Sequence, residues 1–361
     1  MNQLSEEKLP DYNESSNKDA KEPTMDIVHL GLDDGYACTK IALADGRLLS
    51  IPSRARIGHA WVTWIRDGEQ RIFEYETEGS VYSVGAVDGE PTHFEGYTTS
   101  AMNRVIVQHA FQQAGLSGRS LHVVSGLPVS AFYNHNGNRR ASAINRKIRS
   151  LKIDTRSLGE LSAPPPARVA FHDVIPEALA AWYDYVIVTN ETGTSLDQKR
   201  VSAPIAIVDI GGRTTDYVVV QDQGVVHGSS GSLDRGLLNV KTQVTNSIQD
   251  AFDLTSISEL RISAALETET IRLHGKDHDV SELIHIARQE LVERLYSETR
   301  RLLGQGAELE HILFVGGGSA ALAADIASWF PNQLIAAHPA FANARGMLKY
   351  LQFVSDETES S

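Results

Sequence analysis

The chain has only one cysteine, Cys38, among its 361 residues. A lone cysteine cannot form a disulfide bond within the chain, which fits a reducing compartment, so we expect a cytoplasmic protein. Basic residues are also scarce, because 33 Lys and Arg stand against 46 Asp and Glu and leave a net charge of −13. A chain this acidic has little nonspecific attraction for nucleic acid or anionic lipid. We therefore expect neither direct DNA binding nor binding to a membrane.

Signals for export or membrane insertion are missing as well. The first two dozen residues are polar and charged, unlike a secretory signal. The longest nearly uncharged stretch, 312–330, has three glycines in its interior and reads as a strand, a turn and a buried helix. Residues 1–24 contain almost nothing to bury, so they are predicted to be a disordered tail, and 354–361 form a second polar tail.

Several common catalytic signatures do not occur either. The thirteen histidines show no spacing typical of a metal site. The sequence has neither a Gly-x-Ser-x-Gly nucleophile motif nor a Walker A loop. Any chemistry must therefore come from other groups.

The sequence does contain β-branched runs that alternate with stretches of helical periodicity, which favours an α/β fold. Its length allows about two domains. One plan occurs twice, in which a strand runs into an acidic glycine turn and then into a second strand. The copies are 27–32, Asp33-Asp34-Gly35 and 40–43, and then 205–208, Asp209-Ile210-Gly211-Gly212 and 217–220. This repetition predicts two related halves.

The elements around these hairpins are also readable. Residues 101–114 predict a helix that stops at Gly115, and 121–124 predict a buried strand. Apolar side chains at helical spacing over 237–252 and 283–303 predict two helices of the second half. The polar, aperiodic residues 190–200 predict a linker or loop at the boundary, with a hinge nearby.

The two acidic turns are the main candidates for chemistry. Asp33 and Asp209 each lie at a strand end beside glycines that let backbone N–H groups approach an anion. Magnesium is commonly held by one or two carboxylates together with substrate phosphates, so two aspartates across a cleft would suit it. Lys40, on the second strand of its hairpin, could reach a phosphate. Either turn alone is more simply a structural hairpin, but the match between the two, with Thr214 following the second, favours phosphate binding.

Two further segments have both a functional and a structural interpretation. Gly316-Gly317-Gly318 precede a helix predicted to begin near Ala320, and such a turn presents free N–H groups to an anion or a flat ring. A tight turn with Ser319 as the helix N-cap explains it equally well. Glu177 precedes a helical run starting at Ala178 and is placed in the first helical turn. It could position a water for attack on a γ-phosphate, or it could simply be a favourable first-turn acid.

Five motifs occur in a characteristic order. They are Asp33-Asp34-Gly35-Tyr36-Ala37-Cys38-Thr39-Lys40, Ser125-Gly126-Leu127-Pro128-Val129, Ile175-Pro176-Glu177-Ala178, Asp209-Ile210-Gly211-Gly212-Arg213-Thr214-Thr215-Asp216 and Val315-Gly316-Gly317-Gly318. The set resembles the superfamily of actin, heat-shock chaperones and sugar kinases. The Gly-Leu-Pro segment followed by Phe132-Tyr133, and the ending Phe341-Ala342-Asn343-Ala344-Arg345-Gly346-Met347, resemble the ParM/StbA family of plasmid-segregation actins. The resemblance covers residues 25–352.

This resemblance implies an α/β, actin-like fold with two ribonuclease H-like lobes and a central nucleotide cleft. It implies domain I over 25–195, with a smaller subdomain near 52–100, and domain II over 196–338. A C-terminal helix over 339–353 would return to domain I.

The resemblance also implies a site for ATP and Mg²⁺. Asp33 and Asp209 would hold the metal, with Asp209 and Glu177 as the catalytic residues and Glu177 positioning the water. The nucleotide-binding residues would be Asp33, Gly35 and Lys40 in the first phosphate loop, Gly211, Gly212 and Thr214 in the second, and Gly316, Gly317 and Gly318 in the adenosine loop. Two positions depart from the superfamily pattern, because Tyr36 replaces a Ser or Thr and Arg213 replaces a small or hydroxyl residue.

The function implied is that of an ATPase that polymerises with ATP into dynamic filaments and segregates plasmid DNA. DNA would be contacted by a ParR-like adaptor bound at a centromere-like plasmid site, which suits the acidic charge of this chain. Two alternatives remain open. A small-molecule kinase of the same superfamily would need a polar sugar pocket beside Glu177. A non-polymerising scaffold or chaperone-like ATPase would be expected to carry a peptide-binding domain or a membrane-targeting tail after the core.

Overall fold

The structure of the chain is a computed structural model that describes residues 27–62, 65, 72–158, 165–190 and 193–355. The predicted tail over 1–24 and most of the predicted tail over 354–361 lie outside the described residues. Among the helices in the described ranges, none is long and apolar enough to cross a membrane.

The described part of the first half builds a central five-stranded sheet, a smaller four-stranded sheet and a two-stranded sheet. Its strands are β1 (Val28–Asp34), β2 (Cys38–Leu43), β3 (Leu48–Pro52), β4 (Ala55–Ile57), β5 (Ile72–Thr77), β6 (Ser80–Gly85), β7 (Ser120–Leu127), β8 (Arg156–Ser157), β9 (Arg168–Pro176), β10 (Ile187–Asn190) and β11 (Gly193–Leu196). Its helices are α1 (Ala101–Gln113), α2 (Val129–Phe132), α3 (Ala141–Ser150), α4 (Leu179–Val186) and α5 (Gln198–Ser202).

The second half builds another central sheet and ends in a helix. Its strands are β12 (Ile205–Ile210), β13 (Thr215–Gln221), β14 (Gly224–Val225), β15 (Gly231–Leu233), β16 (Thr270–Leu273), β17 (Lys276–Asp279), β18 (His311–Val315) and β19 (Gln333–Ile335). Its helices are α6 (Leu237–Ala251), α7 (Glu259–Thr268), α8 (Ser281–Leu303), α9 (Gly316–Ala321), α10 (Ala323–Ile326) and α11 (Ala342–Phe353).

The two central sheets follow one plan. The first has the order β3-β2-β1-β7-β9 and the second the order β14-β13-β12-β18-β19, with β15 added beside β13. In each, the first strand of the acidic hairpin pairs antiparallel with the second and parallel with a later strand. The predicted duplication is therefore confirmed at the level of strand order. We call the parts built on these sheets the first and the second lobe, and β1–β2 and β12–β13 the first and second acidic hairpins.

Helix α11 packs on the first lobe although it follows the second in sequence. Its backbone approaches so closely that a Cβ on Gly31 of β1 would lie 1.9 Å from the Ala344 carbonyl oxygen. A Cβ on Gly346 would lie 1.7 Å from the carbonyl oxygen of Ala180 in α4. No side chain fits at either position, so the close contact depends on glycine at both. The packing brings the start of α11 to the base of the cleft.

One local expectation fails outside the central sheets. Residues 190–200 do not form an irregular linker in the described part, because β10 pairs antiparallel with β11 and the short helix α5 follows. Asp197 caps α5 by accepting hydrogen bonds from the backbone N–H groups of Lys199 and Arg200. The strands of an exposed hairpin bury little apolar surface, so they lack the alternation of apolar and polar residues that predicts a strand. The polar residues of this segment therefore suggested a loop.

Candidate functional site

The first acidic hairpin carries a buried ion pair. Asp33 and Lys40 face each other in the β1–β2 register, and Lys40 Nζ donates to Asp33 Oδ2 at 2.8 Å. Burial lowers the pKa of Lys40, but the charge and hydrogen bond of Asp33 outweigh it and the pKa is raised overall. Lys40 therefore stays cationic beside the carboxylate.

Asp34, the next residue, is anchored by a lysine that sequence reasoning missed. Lys147 of α3 is fully buried, contacts the Asp34 carboxylate and donates to the Thr98 carbonyl oxygen at 2.8 Å. Burial raises the pKa of Asp34, while Lys147 opposes that rise. The pair fixes the turn of the first hairpin to α3, and only the tertiary fold could reveal it, because 113 positions separate the two residues.

The second acidic hairpin places Asp209 at the end of β12. Its Oδ2 accepts a hydrogen bond of 2.6 Å from the side-chain amide of Asn343, the second residue of α11. Burial, followed by the charges of Asp33 and Asp216, raises the pKa of Asp209 to about 7. That Asp33 contributes to this rise shows that the carboxylates of the two hairpins lie close together. The structure thus brings together the two aspartates assigned to the metal.

The tips of the two hairpins touch. A Cβ on Gly212 would lie only 2.6 Å from Cβ of Ala37, so the second turn needs glycine at this position. The guanidinium carbon of Arg213 lies 5.2 Å from the ring centroid of Tyr36. Both residues that depart from the superfamily pattern therefore form one contact between the lobes.

The second turn is also tied to the start of α6. The Gly211 N–H donates to the Thr214 carbonyl oxygen at 2.9 Å, which closes the turn. The carbonyl oxygens of Gly211 and Gly212 accept from the N–H groups of Leu237 and Leu238 at 3.1 and 2.8 Å. The turn is therefore held in one conformation by the helix that follows it.

The glycines after β18 are part of a helix and not of a preceding turn. Helix α9 begins at Gly316, not near Ala320, and Val315 rather than Ser319 occupies the N-cap position. Gly316 has φ +89°, and a Cβ there would lie 2.2 Å from Asp209 Oδ1. A Cβ on Gly318 would clash with Ile210, whereas one on Gly317 would meet nothing within 4 Å. Two of the three glycines are needed for packing against the end of β12.

Glu177 lies in a tight turn between β9 and α4, not in the first turn of a helix. Its N–H donates to the Leu127 carbonyl oxygen at 2.8 Å, and its own carbonyl accepts from the Leu179 N–H at 2.7 Å. Ala178 has φ +61°, an unfavourable conformation for a residue with a Cβ. The Ala178 N–H donates to Asn343 Oδ1 at 3.2 Å, so Asn343 contacts both Asp209 and this strained turn. Strain of this kind is concentrated at functional sites.

The Glu177 carboxyl is surrounded by other acids. Burial, then the charges of Asp216, Asp33 and Asp209, raise its pKa well above the ordinary value. A carboxyl with a raised pKa is suited to accept a proton from a water molecule near neutral pH. A bound cation would also reduce the repulsion between these acidic side chains.

Asp216 is a second acid that sequence reasoning did not select. Its Oδ1 accepts from the backbone N–H of Val129 in the first lobe at 2.8 Å and from the Ser232 hydroxyl at 2.5 Å. Its Oδ2 accepts from Thr214 Oγ1 at 2.9 Å. Thr214 therefore bonds to a neighbouring carboxylate, and Asp216 links the two lobes. Asp216 is the last residue of the motif that begins at Asp209, but nothing in the sequence distinguishes it from an ordinary strand residue.

The donor set fits a hard divalent cation held partly by a ligand. No group of three or more His, Cys, Asp or Glu that could hold a metal ion by itself occurs in the described ranges. Magnesium needs only one or two carboxylates when phosphate oxygens and water complete its octahedron. Asp33 and Asp209 could supply these carboxylates. The raised pKa of Asp209 reflects its burial first and then the negative charges of Asp33 and Asp216, which a cation would neutralise.

A cavity of about 530 Å³ lies next to the second turn, between α6 and α8. Arg235, Asn239, Glu290 and Arg294 are among its lining residues. It adjoins Gly236, where a Cβ would lie 2.6 Å from the carbonyl oxygen of Gly211. A space of this size beside a phosphate-type loop could hold the nucleoside part of a nucleotide.

Two sheets of one strand order, with an acidic hairpin from each meeting at a shared cleft, define an actin-like fold. Residues 28–186 match the family model described as plasmid segregation protein ParM, N-terminal. Residues 207–328 match the model for the C-terminal part of the archaeal actin homologue MreB-like. Family models of actin-like proteins therefore match both lobes of the chain, that of ParM the first and that of the MreB-like homologue the second.

Solved structures agree with this fold. A non-polymerisable quadruple mutant of pCBH ParM is 19% identical, with a TM-score of 0.70 over 90% of this chain and 99% of the other. A 15-stranded ParM filament from Clostridium botulinum is 20% identical, with a TM-score of 0.70 over 91% and 100%. An archaeal actin homologue in complex with ADP is 18% identical, with a TM-score of 0.67 over 93% and 100%. The TM-scores establish the fold, so the predicted actin-like architecture is confirmed. Comparison with curated proteins finds no significant match.

Proposed function

We propose that this protein is an ATPase that forms dynamic filaments and drives the segregation of plasmid DNA. The observation that carries the proposal is the convergence of Asp33, Asp209 and Glu177, which come from both lobes, at one buried acidic cleft. ADP bound to one actin homologue and the filament built by one ParM support nucleotide binding and self-association.

In this proposal each residue has a definite role. Asp33 and Asp209 hold Mg²⁺, which neutralises phosphate charge. Lys40 and the backbone of Gly35, Gly211 and Gly212, together with Thr214, bind the phosphates. The glycines 316, 317 and 318 border the nucleoside. Glu177 orients the attacking water and accepts its proton, for which its raised pKa is suited.

The cycle follows from a ligand that contacts both lobes. ATP shifts the protein towards the closed state only by the difference between its contacts in the closed and open states. We take 25–195 and 196–338 as the units that move, with residues 339–353 returning to the first. Head-to-tail contacts between closed molecules give an open filament when the rotation does not close a ring. DNA is reached through a ParR-like adaptor at a centromere-like site, because the net charge of −13 disfavours direct binding.

Light scattering and sedimentation after addition of Mg²⁺ and nucleotide test this function. ATP should give filaments that later disassemble with phosphate release, and a non-hydrolysable analogue should give persistent ones. Asp209→Ala should abolish magnesium-dependent ATP binding and polymerisation. Asp45→Ala, which removes an exposed carboxylate bonded only to nearby Arg47, serves as the matched control.

Three results would contradict the proposal. Full ATP affinity in Asp209→Ala would mean that the second turn is not a phosphate loop. Sugar-dependent ADP release without scattering would favour a kinase, and ATP turnover with neither would favour a scaffold or chaperone-like protein.

A further inference from the structure

The contact between Tyr36 and Arg213 has no role in the function described above. Both side chains stand at the tips of the acidic hairpins, one on each lobe, where Gly212 and Ala37 also touch. The guanidinium carbon lies over the phenol ring, 5.2 Å from its centroid, which is within the range of a cation–π contact. Tyr36 is in turn supported by Tyr97, whose ring centroid is 5.1 Å away. Arg213 is therefore held at one place at the mouth of the cleft.

The hydrogen-bonding capacity of Arg213 is only partly used. Its Nε donates to Asp234 Oδ1 at 3.0 Å. Its Nη1 is buried and has no hydrogen-bond partner among the described residues. A buried donor without an acceptor is costly, and an arginine nitrogen can be satisfied only by an acceptor. The structure thus presents a fixed, unsatisfied cationic donor beside the two turns.

The charges around this donor point to an anion. The two buried lysines of the site are already paired, Lys40 with Asp33 and Lys147 with Asp34. The ion-pair partner of Arg213 in the described part of the chain is Asp234, whose side chain is 67% exposed and so neutralises it weakly. Arg213 is therefore a cation at the hairpin tips whose ion-pair partner neutralises it only weakly.

Tyr36 places this donor on the catalytic side. After burial, the charge of Glu177 is the largest influence that raises the pKa of Tyr36, to about 12. The ring is therefore close enough to feel the charge of the carboxyl that would position water, and it also contacts the guanidinium. A guanidinium held here lies near the place proposed for attack on the terminal phosphate.

We propose that Arg213 binds the terminal phosphate of the nucleoside triphosphate through Nη1, and that Tyr36 is the platform that holds the guanidinium in position. This inference rests on the proposed nucleotide-binding function and adds a specificity-determining residue to it. Arginine suits the task because its charge is permanent and its planar group can stack on an aromatic ring while donating to phosphate. In the superfamily pattern, a Ser or Thr stands at the position of Tyr36 and a small or hydroxyl residue at that of Arg213. In this chain, a charged contact from the second lobe would take the place of the hydroxyl contact from the first.

The test compares the affinities for Mg²⁺ with ADP and with a non-hydrolysable ATP analogue, measured by titration calorimetry on the full chain. Arg213→Gln should weaken binding of the triphosphate about 10- to 100-fold, as expected for a hydrogen bond to a charged group, and should leave ADP binding nearly unchanged. The triphosphate affinity of Arg213→Lys should lie between those of the unmodified protein and Arg213→Gln, because lysine keeps the charge without the planar group. Tyr36→Leu should also reduce the preference for triphosphate over diphosphate. Arg272→Gln, which removes an exposed arginine paired with Asp277 in the same lobe, should leave both affinities unchanged.

The outcomes separate this inference from the proposed function. If the unmodified protein binds neither nucleotide, both are wrong. If it binds both and Arg213→Gln keeps the same ratio of affinities, or loses both equally, Arg213 does not contact the terminal phosphate and the nucleotide site still stands. Thermal melting of each variant shows whether it is folded. If Arg213→Gln does not fold, the affinities of Arg213→Lys decide whether Arg213 contacts the terminal phosphate.

Discussion

At the scale of single residues, Glu177 is the group on which the proposed hydrolysis would depend most directly. Replacing it by Gln keeps the shape of the side chain but removes its ability to accept a proton. Glu177→Gln should therefore retain ATP binding while phosphate release slows about 10²- to 10⁴-fold, the usual contribution of a general base. Filaments should persist for longer because hydrolysis would trigger disassembly. Phosphate release by a coupled assay, together with light scattering, measures both, and unchanged release would remove Glu177 from the mechanism.

The raised pKa of Glu177 also makes the stability of the nucleotide-free protein depend on pH. The folded state holds a proton on Glu177 at pH values where the unfolded chain, with an ordinary value of 4.5, has released it. The stabilisation by this proton is present at low pH and is lost as the pH rises through the folded pKa. The Glu177→Gln variant never carries this charge. Its free energy of unfolding should therefore equal that of the unmodified protein near pH 5 and exceed it by about 1–3 kcal/mol near pH 8.

Urea unfolding without nucleotide at pH 5, 6, 7 and 8 gives both free energies of unfolding. Parallel curves for the two proteins would mean that Glu177 is ionised in the folded state across this range. Glu76→Gln, on the small sheet, provides a control, because that carboxylate forms an exposed pair with Arg156.

The sequence predicted the residues that belong to contiguous motifs and missed their partners from elsewhere. Asp33, Lys40 and Asp209 could be selected because an acidic glycine turn between strands is a local pattern. Lys147 and Asn343 could not, since each reaches its aspartate only through the tertiary fold, 113 and 134 positions away. A buried lysine on an amphipathic helix is indistinguishable in sequence from an exposed one.

At the scale of secondary structure elements, the long helices and hairpin strands were predictable because their periodicity extends over several turns or pairs. The start of α9 was not, because glycine is a poor helix former and three in a row suggested a loop. Packing against β12 overrides that preference, and the close approach to Ile210 requires residues without side chains. Ala178 was assigned to α4 for the opposite reason, since alanine favours helix yet here adopts φ +61°.

The first turn of α9 offers a matched pair of substitutions. Gly316→Ala would place a Cβ 2.2 Å from Asp209 Oδ1 in a backbone conformation with φ +89°, so it should lower the free energy of unfolding by about 2–4 kcal/mol. Gly317→Ala meets nothing within 4 Å and should raise it by about 0.5–1 kcal/mol, because alanine is the better helix former. Denaturant unfolding of both variants measures the difference. Equal stabilities would show that α9 does not begin against Asp209.

At the scale of the whole molecule, the lobes are joined on two sides of the acidic cleft. On one side, Asp216 accepts from the Val129 N–H, and the Ser130 N–H donates to Ser232 Oγ at 3.0 Å. On the other, Arg54 Nε lies 2.6 Å from Glu259 Oε2, and the Glu259 N–H donates to Asp88 Oδ1 at 2.6 Å. The second set of contacts borders a cavity of about 470 Å³ between the lobes. These contacts join the lobes across the cleft without the help of a ligand's contacts.

Weakening the Arg54 contact should therefore open the cleft more often. Arg54 and Glu259 are 15% and 25% exposed, so their interaction is only partly screened by solvent, and its loss should cost about 1 kcal/mol of closure. That free energy corresponds to nucleotide release about five times faster in Arg54→Gln. Stopped-flow displacement of a fluorescent ADP measures the rate. Arg301→Gln is the control, because it breaks an exposed pair within α8 and touches no interlobe contact. Equal release rates in Arg54→Gln and the unmodified protein would mean that closure depends on the contacts at Asp216 and on the nucleotide itself.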